Sequence, residues 1–292
     1  RQLLENGQRL AFEPGDYGPL FGAASGKATI GGVFAGNISG PGRLRAGAAR
    51  DHLLGLKMVN GRGEAIFSGG RVVKNVTGYD MCKLLTGSYG TLAVMTELTF
   101  KVMPMAETTR TVFLSGLDDE TALAAMTEAL KSEVEVSAAA HLPSGISSGG
   151  IPSGGMTALR LEGPASSVAE RCCTLTALLA DFGKSDELAA TDCDAFWRNV
   201  RDVTPFLPDG GPPASGKGPE NLLWRISLPP SEAPGLVRDV REKFSCRVFY
   251  DWGGGLVWLA PDAPPLEGDG GAAIIRRLLE MRGDHMGGQA ML

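Results

Sequence analysis

Between residues 15 and 103 the apolar positions come in short runs broken by turn residues, and no long helical stripe forms. The stretches IGGVFAGNISG (30–40), HLLGLKMVNGRGEAIFSGG (52–70) and GTLAVMTELTFKVM (90–103) are interrupted at dipeptides such as Asn60-Gly61, which predicts strands joined by tight turns. A short helix is expected from Tyr79 to Leu85, stopped by Gly87, with Asp80 capping or pairing locally and a strand entered at Leu92. Ahead of all this, Leu3, Leu4 and Leu10 predict an amphipathic helix at the start of the chain.

The texture changes at Pro104. TRTVFLSG (109–116), MTALRLEG (156–163) and NLLWRISLP (221–229) each read as a strand followed by a helix. The first helix carries Ala122, Leu123, Met126, Ala129 and Leu130 on one face. The second is striped by Val168, Cys172, Leu175, Leu179 and Phe182, opens on a Ser167–Glu170 capping box and ends at Gly183. The third carries Leu236, Val237, Val240 and Phe244, and CRVFYDWGGGLVWLA then folds back at Gly253 to Gly255 as a hairpin. GISSGGIPSGG (145–155) reads as a loop. The expected architecture is α+β in two domains: 1–104, and a ferredoxin-like antiparallel cap over 105–292.

Composition narrows the partners. With 292 residues, 43% of them hydrophobic, the chain can bury two modest cores. A formal charge of −5 argues against a nucleic-acid surface, which needs a basic face. No apolar run approaches the ~20 residues of a bilayer span, which leads to the expectation of a cytoplasmic protein. Five cysteines, Cys82, Cys172, Cys173, Cys193 and Cys246, form no CxxC pair, so reduced thiols are expected, and no metal centre and no Fe–S cluster on this chain. The chain opens without methionine and stops without a closing signal, and is expected to lack both ends of its parent.

The glycines of GAASGKATIGGVFAGNISG (22–40) match neither phosphate-loop spacing. Gly26-Lys27 is followed by Ala28 rather than Ser or Thr, and no GxGxxG is present. What remains is backbone able to approach a ligand at Gly31, Gly32, Gly36 and Gly40, with neutral donors on Thr29, Asn37 and Ser39. A second bare stretch, GSYGTLAV (87–94), is expected to present the amides of Tyr89 to Thr91 outward without partners. Two such stretches, each feeding a strand, suit an extended cofactor lying across a sheet.

ATIGGVFAGNISGPGRLRAGAARD and GGRVVKNVTGYDMCKLLTGSYGTLAVMTELTFKVMP together resemble the FAD-linked oxidases of the vanillyl-alcohol oxidase and p-cresol methylhydroxylase type. Within them, the likeness is to the E subunits of bacterial glycolate oxidases. It covers residues 28 to 104, and more loosely the cap through WRISLP and DWGGGLVWL. The resemblance implies the second part of an FAD domain followed by a cap. Thr29, Ile30, Gly31, Gly32, Gly36, Asn37 and Ser39 would lie along the adenosine diphosphate, and Tyr89, Gly90, Thr91, Leu92 and Val94 near the flavin. Gly36 stands where relatives often carry Thr, and Ala93 where many carry Gly. The family's first pyrophosphate loop has no counterpart before Gly22; three charge-assisted bonds lost would cost about 4.5–9 kcal/mol, so the piece alone is expected to purify colourless and the intact parent yellow.

The activity so implied is oxidation of glycolate to glyoxylate by hydride transfer to FAD, within a complex that includes a sister flavin subunit (D) and an Fe–S subunit (F) and lies at the periphery of the inner membrane through those partners. Two alternatives stand beside it: a non-catalytic flavin-holding scaffold, and an enzyme for D-lactate or another 2-hydroxy acid. Such chemistry needs an arginine for the carboxylate and a base for the hydroxyl proton. His52 reads as structural, His141 at a strand end as facing either the flavin or, in preference, the solvent, and His285 as lying in a frayed terminus. Arg160 and Arg225 sit on cap strands, where a sheet-face role competes with that of anion anchor. Trp197, Trp224, Trp252 and Trp258 read as core, and Lys74 and Lys83 as solvated charges. No catalytic residue is assigned.

Overall fold

A computed structural model describes residues 2–74, 78–146, 154–207, 223–262, 272–283 and 289–291. By backbone contacts the chain divides into two units, one formed by 1–18 with 24–105 and the other by 19–23 with 106–292.

The first unit is built on a three-stranded antiparallel sheet of β1 (Leu53–Asn60), β2 (Ala65–Gly69) and β3 (Ala93–Phe100), with β1 in the centre. Asn60 explains the β1–β2 turn: its Oδ1 accepts from the backbone N–H of both Arg62 and Glu64, an Asx arrangement that replaces the missing ladder bonds. Three one- to two-turn helices lie against the sheet: α1 (Ile30–Ala35), α2 (Ala49–His52) and α3 (Met81–Leu85). Their inward residues, Val33 and Phe34, Ala49, and Cys82 and Leu85, join Phe12, Leu53, Leu56, Met58 and Ala93 in one core. Asp80 caps α3, its Oδ1 accepting from Lys83 N–H, as expected.

Two expectations in this unit fail. The segment from Ile30 does not feed a strand but forms α1, because Thr29 caps it by accepting from the Gly32 N–H at 3.1 Å and because Val33 and Phe34 bury side by side. Gly31 and Gly32 each weaken a helix by about 1 kcal/mol, which burial of a phenylalanine and a valine offsets. At the start of the chain the helix covers only Gln2–Glu5, and Leu10 packs against the core outside it.

Among the described residues the second unit is built on an eight-stranded sheet, antiparallel at every pairing. It contains β4 (Thr108–Ser115), β5 (Ala138–Leu142), β6 (Met156–Gly163), β7 (Ser185–Glu187), β8 (Trp224–Ser227), β9 (Cys246–Asp251), β10 (Leu256–Pro261) and β11 (Gln289–Met291), in the order β11-β8-β10-β9-β5-β6-β4-β7. Helices α4 (Asp119–Lys131), α5 (Ala165–Leu178) and α7 (Ala233–Arg241) bury most of the apolar stripes that the sequence predicts, while Leu179 and Phe182 fall past the end of α5 and Phe244 past the end of α7. Helix α6 (Ala190–Asp202) lies against β4, and α8 (Ala272–Gly283) against α7. The β9–β10 hairpin turns at Trp252–Gly254 as expected. Helix α5 begins earlier than expected, with Pro164 before its first residue and no side-chain cap, so Ser167 and Glu170 do not form a capping box.

The sheet separates two polar clusters. Tyr250, His141 and Thr157 are cross-strand neighbours on β9, β5 and β6 and share one face. His141, expected to face solvent, is instead fully buried there: Nδ1 lies 2.9 Å from Thr157 Oγ1 and Nε2 lies 3.4 Å from Asp119 Oδ1, an electrostatic contact rather than a formed hydrogen bond. Tyr250 donates to Asp119 Oδ2 at 2.8 Å, and Arg241 approaches the same oxygen at 2.8 Å. On the opposite face Arg160, opposite Thr111, is buried: its Nε donates to Ser137 Oγ, and its guanidinium lies over the Trp197 ring. All four tryptophans are buried, as expected, and all four belong to this unit. The five cysteines are free thiols. Asn75 to Thr77, most of the 145–155 loop and His285 fall outside the described residues.

Candidate functional site

The two glycine-rich stretches meet in the first unit. The Gly87 N–H donates to the Phe34 carbonyl at 3.1 Å and the Tyr89 N–H to the Ala35 carbonyl at 2.9 Å, so the loop after α3 is sewn to the last turn of α1 by main chain alone. The Phe34 carbonyl also accepts from Asn37 N–H at 3.1 Å. Beneath the junction lie the rings of Phe34 and Phe12, packed edge to face at 5.8 Å. The amides of Tyr89 and Thr91 therefore do not point outward unpaired as expected: the second donates to the Ser88 carbonyl. A strand-forming sequence held against a helix end satisfies its own donors first.

The polar side chains of this region are spent on holding it. Asn37, with a left-handed φ of 49°, accepts from the Arg50 N–H through Oδ1 at 3.0 Å. Ser39 is buried; its Oγ accepts from Ala49 N–H at 2.9 Å and donates to the Asn37 carbonyl. The Lys83 ammonium, expected to be free in solvent, donates to the Arg50 carbonyl at 2.5 Å, which ties α3 to α2. His52 is buried as expected of a structural residue, with Nε2 2.9 Å from the Ala46 carbonyl and its ring 5.0 Å from that of Phe12. Burial, and after it the Asp80 charge, pushes the Cys82 thiol up, so it stays protonated in the core.

What the junction presents to solvent is backbone and apolar side chain. Thr29, Ile30, Gly32, Tyr89, Gly90, Thr91, Leu92 and Val94 are exposed, and Gly31, Gly36 and Asn37 partly so. Tyr89, Leu92 and Val94 are 57%, 52% and 64% exposed, more apolar surface than a short loop sheds without reason. Gly90 has φ +75° and no atom within 4 Å of the place where a Cβ would stand. Neither 28–40 nor 87–94 contains an acidic residue, so nothing in either repels a diphosphate. Bare main chain, apolar contact area and absent negative charge together fit FAD, which joins a diphosphate to a flat aromatic ring system. Thr29 and Thr91 keep their hydroxyls on local bonds, to Gly32 N–H and the Ser88 carbonyl, so side chains named from sequence for hydrogen bonding shape the seat more than they line it. The backbone ties through Phe34, Ala35 and Gly87 carried no sequence signal beyond the glycine itself.

Residues 5–68 match a family model described as an FAD binding domain. The chain is 31% identical over 262 residues to the glycolate oxidase subunit GlcE of Escherichia coli (strain K12), spanning 89% of this chain and 61% of that protein. It is 42% identical over 84 residues to the glycolate oxidase subunit GlcD of Bacillus subtilis (strain 168), covering 29% of this chain and 18% of that one. The solved structure of an alkyldihydroxyacetonephosphate synthase superimposes over 99% of this chain and 56% of its own, with a TM-score of 0.65 at 15% identity, a likeness of fold alone. The chain spans about three fifths of the glycolate oxidase subunit it resembles, and the matched domain and shared fold show an FAD-binding domain with the fold of the vanillyl-alcohol oxidase and p-cresol methylhydroxylase type.

Proposed function

We propose that the chain is the FAD-binding subunit of a complex that oxidises glycolate to glyoxylate. The observation that carries this reading is the main-chain junction of Phe34 and Ala35 with Gly87 and Tyr89, which brings both glycine-rich stretches to one place. In it Gly31, Gly32, Gly36 and Gly90 admit the cofactor's close approach, Ile30, Tyr89, Leu92 and Val94 exclude water from its apolar surface, and Thr29, Asn37 and Ser39 hold the turn in register. FAD supplies the acceptor for the hydride that leaves the hydroxyl-bearing carbon. The hydroxyl proton must pass to a base, and the electrons onward to an Fe–S partner beside a sister flavin subunit, in a cytoplasmic assembly at the membrane's edge.

A second reading, that the subunit holds flavin while its sister performs the chemistry, draws on one observation. Both histidines of the described residues, His52 and His141, are buried in structural contacts, and neither is free to take a substrate proton. Anaerobic addition of glycolate to the full-length protein separates the two. Bleaching of the flavin band near ~450 nm is the outcome expected for oxidation at this subunit; an oxidised band that persists assigns the chemistry to the sister. Faster bleaching by D-lactate than by glycolate would move the substrate, not the site.

A further inference from the structure

We infer that the free edge of β2 is a docking site for an extended segment of a partner chain, apolar at its centre and acidic at both ends. Strand β2 pairs with β1 on one side only. The Asn60 N–H donates to the Glu64 carbonyl at 3.1 Å and the Gly70 N–H to the Leu54 carbonyl at 3.0 Å. Between these two bonds Met58 faces Ile66 and Leu56 faces Ser68. Bonded pairs alternate along an antiparallel ladder, so Ile66 and Ser68 turn their main chain to β1, and Ala65 and Phe67 turn theirs outward. No backbone partner meets that outer side among the described residues. Natural sheets blunt such an edge with a charge, a proline or a bulge. AIFSG carries no charge and no proline, and its pairing with β1 runs in unbroken register.

The side chains around the edge are equally bare. Phe67 is 65% exposed, on the sheet face that it shares with Lys57, and Val72, Val73 and Tyr79 beyond the strand are 58%, 78% and 93% exposed. Ser68, Gly69, Val72, Val73 and Tyr79 also bound a cavity of about 150 Å³ at the end of β2, which has room for one side chain of an added strand. Main-chain bonds along an open edge give affinity, and side-chain cavities beside it give specificity. Charge selects the strand that fits. Arg62 before β2 and Arg71 and Lys74 after it are exposed, and no carboxylate pairs with them among the described residues. Glu64 alone opposes them, and it holds the Asn60 amide at 2.7 Å. A second copy laid antiparallel on the edge, with its two-fold axis at Phe67, sets Arg62 of each copy beside Arg71 of the other, and like charges across a strand pair repel. Carboxylates at the two ends of an incoming strand meet the same cations with opposite charge.

The test uses the full-length protein and a fluorescent peptide with a valine-tyrosine-valine centre flanked on each side by aspartates. Binding is read by anisotropy against the same peptide with lysines in place of the aspartates. The acidic peptide is expected to bind roughly tenfold or more tightly than the basic one, with an advantage that shrinks as salt rises. Phe67→Pro removes an outward N–H without touching a bond to β1, so it should weaken the acidic peptide roughly tenfold or more while the melting temperature stays near the parent's. Arg62→Glu combined with Arg71→Glu should reverse the preference between the two peptides. If Phe67→Pro does not fold, the charge-reversed protein carries the decision. Equal binding of the two peptides, or binding that no folded variant changes, overturns the assignment, as does a parent that binds neither. Self-association of the parent in sedimentation, lost in Phe67→Pro, gives the edge to a second copy and overturns the partner inferred here.

Discussion

Gly90→Val in the full-length protein is expected to strip it of flavin while leaving it folded. The substitution meets no protein atom, since nothing lies within 4 Å of a Cβ at this position. It does force a β-branched residue to φ +75°, at a cost of about 1–2 kcal/mol. That strain is too small to unfold a domain, so a large effect on flavin content must come from the methyl groups entering the space the cofactor takes. Gly63→Val separates strain from occlusion: Gly63 has φ +78° and equally open surroundings, but it lies in the β1–β2 turn. The ratio of flavin absorbance to protein after gel filtration should fall at least tenfold for Gly90→Val, corresponding to about 1.4 kcal/mol or more, and stay at the parent's value for Gly63→Val. Flavin retained equally by both would remove Gly90 from the seat.

Asp119→Ala is expected to be the most damaging substitution for the stability of the second unit. One carboxylate at the first turn of α4 receives Tyr250 of β9, faces His141 of β5 and pairs with Arg241 of α7, so a single side chain joins four elements. Its removal leaves the buried Tyr250 hydroxyl without its acceptor. A lost acceptor costs about 1–3 kcal/mol and a broken buried charge contact adds to it; a total near 3 kcal/mol would lower the melting temperature by roughly 6–12 °C. Because all four tryptophans belong to this unit, their fluorescence reports its unfolding without contribution from the first.

The same cluster sets a pH dependence. Burial pushes the Asp119 carboxyl up, but the contacts with His141 and Tyr250 and the Arg241 charge outweigh it and hold the carboxyl below its ordinary value. The unfolded chain then binds the proton first as pH falls. The stability contributed by Asp119 is complete above the ordinary carboxylate range and is lost as pH drops through the lower folded value. Tyr250 acts from the other side. Burial, and after it the Asp119 charge, raises its phenol, so stability is lost as pH climbs past the ordinary tyrosine value of about 10. Asp119→Asn should flatten the acid limb of a denaturation profile; an unchanged acid limb would show that the carboxylate contributes nothing to it.

Local chemistry made much of this legible and distance hid the rest. The β1–β2 turn could be read because Asn60-Gly61 is self-contained, α3 because Asp80 and Gly87 mark its ends, and the β9–β10 hairpin because its glycines leave few alternatives. Helix α1 could not. IGGVFAG has too few residues for a helical period and too many glycines for a helical propensity, and only packing of Val33 and Phe34 against a core assembled from distant residues decides it. Helix α6 carries Cys193, Phe196, Trp197 and Val200 at helical spacing, yet no helix was expected there. His141 looked like a surface residue because its partners, Asp119 and Tyr250, lie 22 and 109 residues away in the chain. The glycine-rich stretches were recognisable as ligand-facing backbone, whereas the division of labour within them was not. Ser39 and Asn37 turned out to brace α2, and only the contacts show it.

The account depends on two stretches of bare main chain forming one seat for FAD. Amide hydrogen exchange of the full-length protein, with FAD bound and after its removal, tests this directly. Binding is expected to slow exchange in 29–37 and in 87–94 together, with the β1–β2 turn at 60–64 as the internal reference that does not change. Slowing in one stretch without the other, or in neither, would contradict the shared seat.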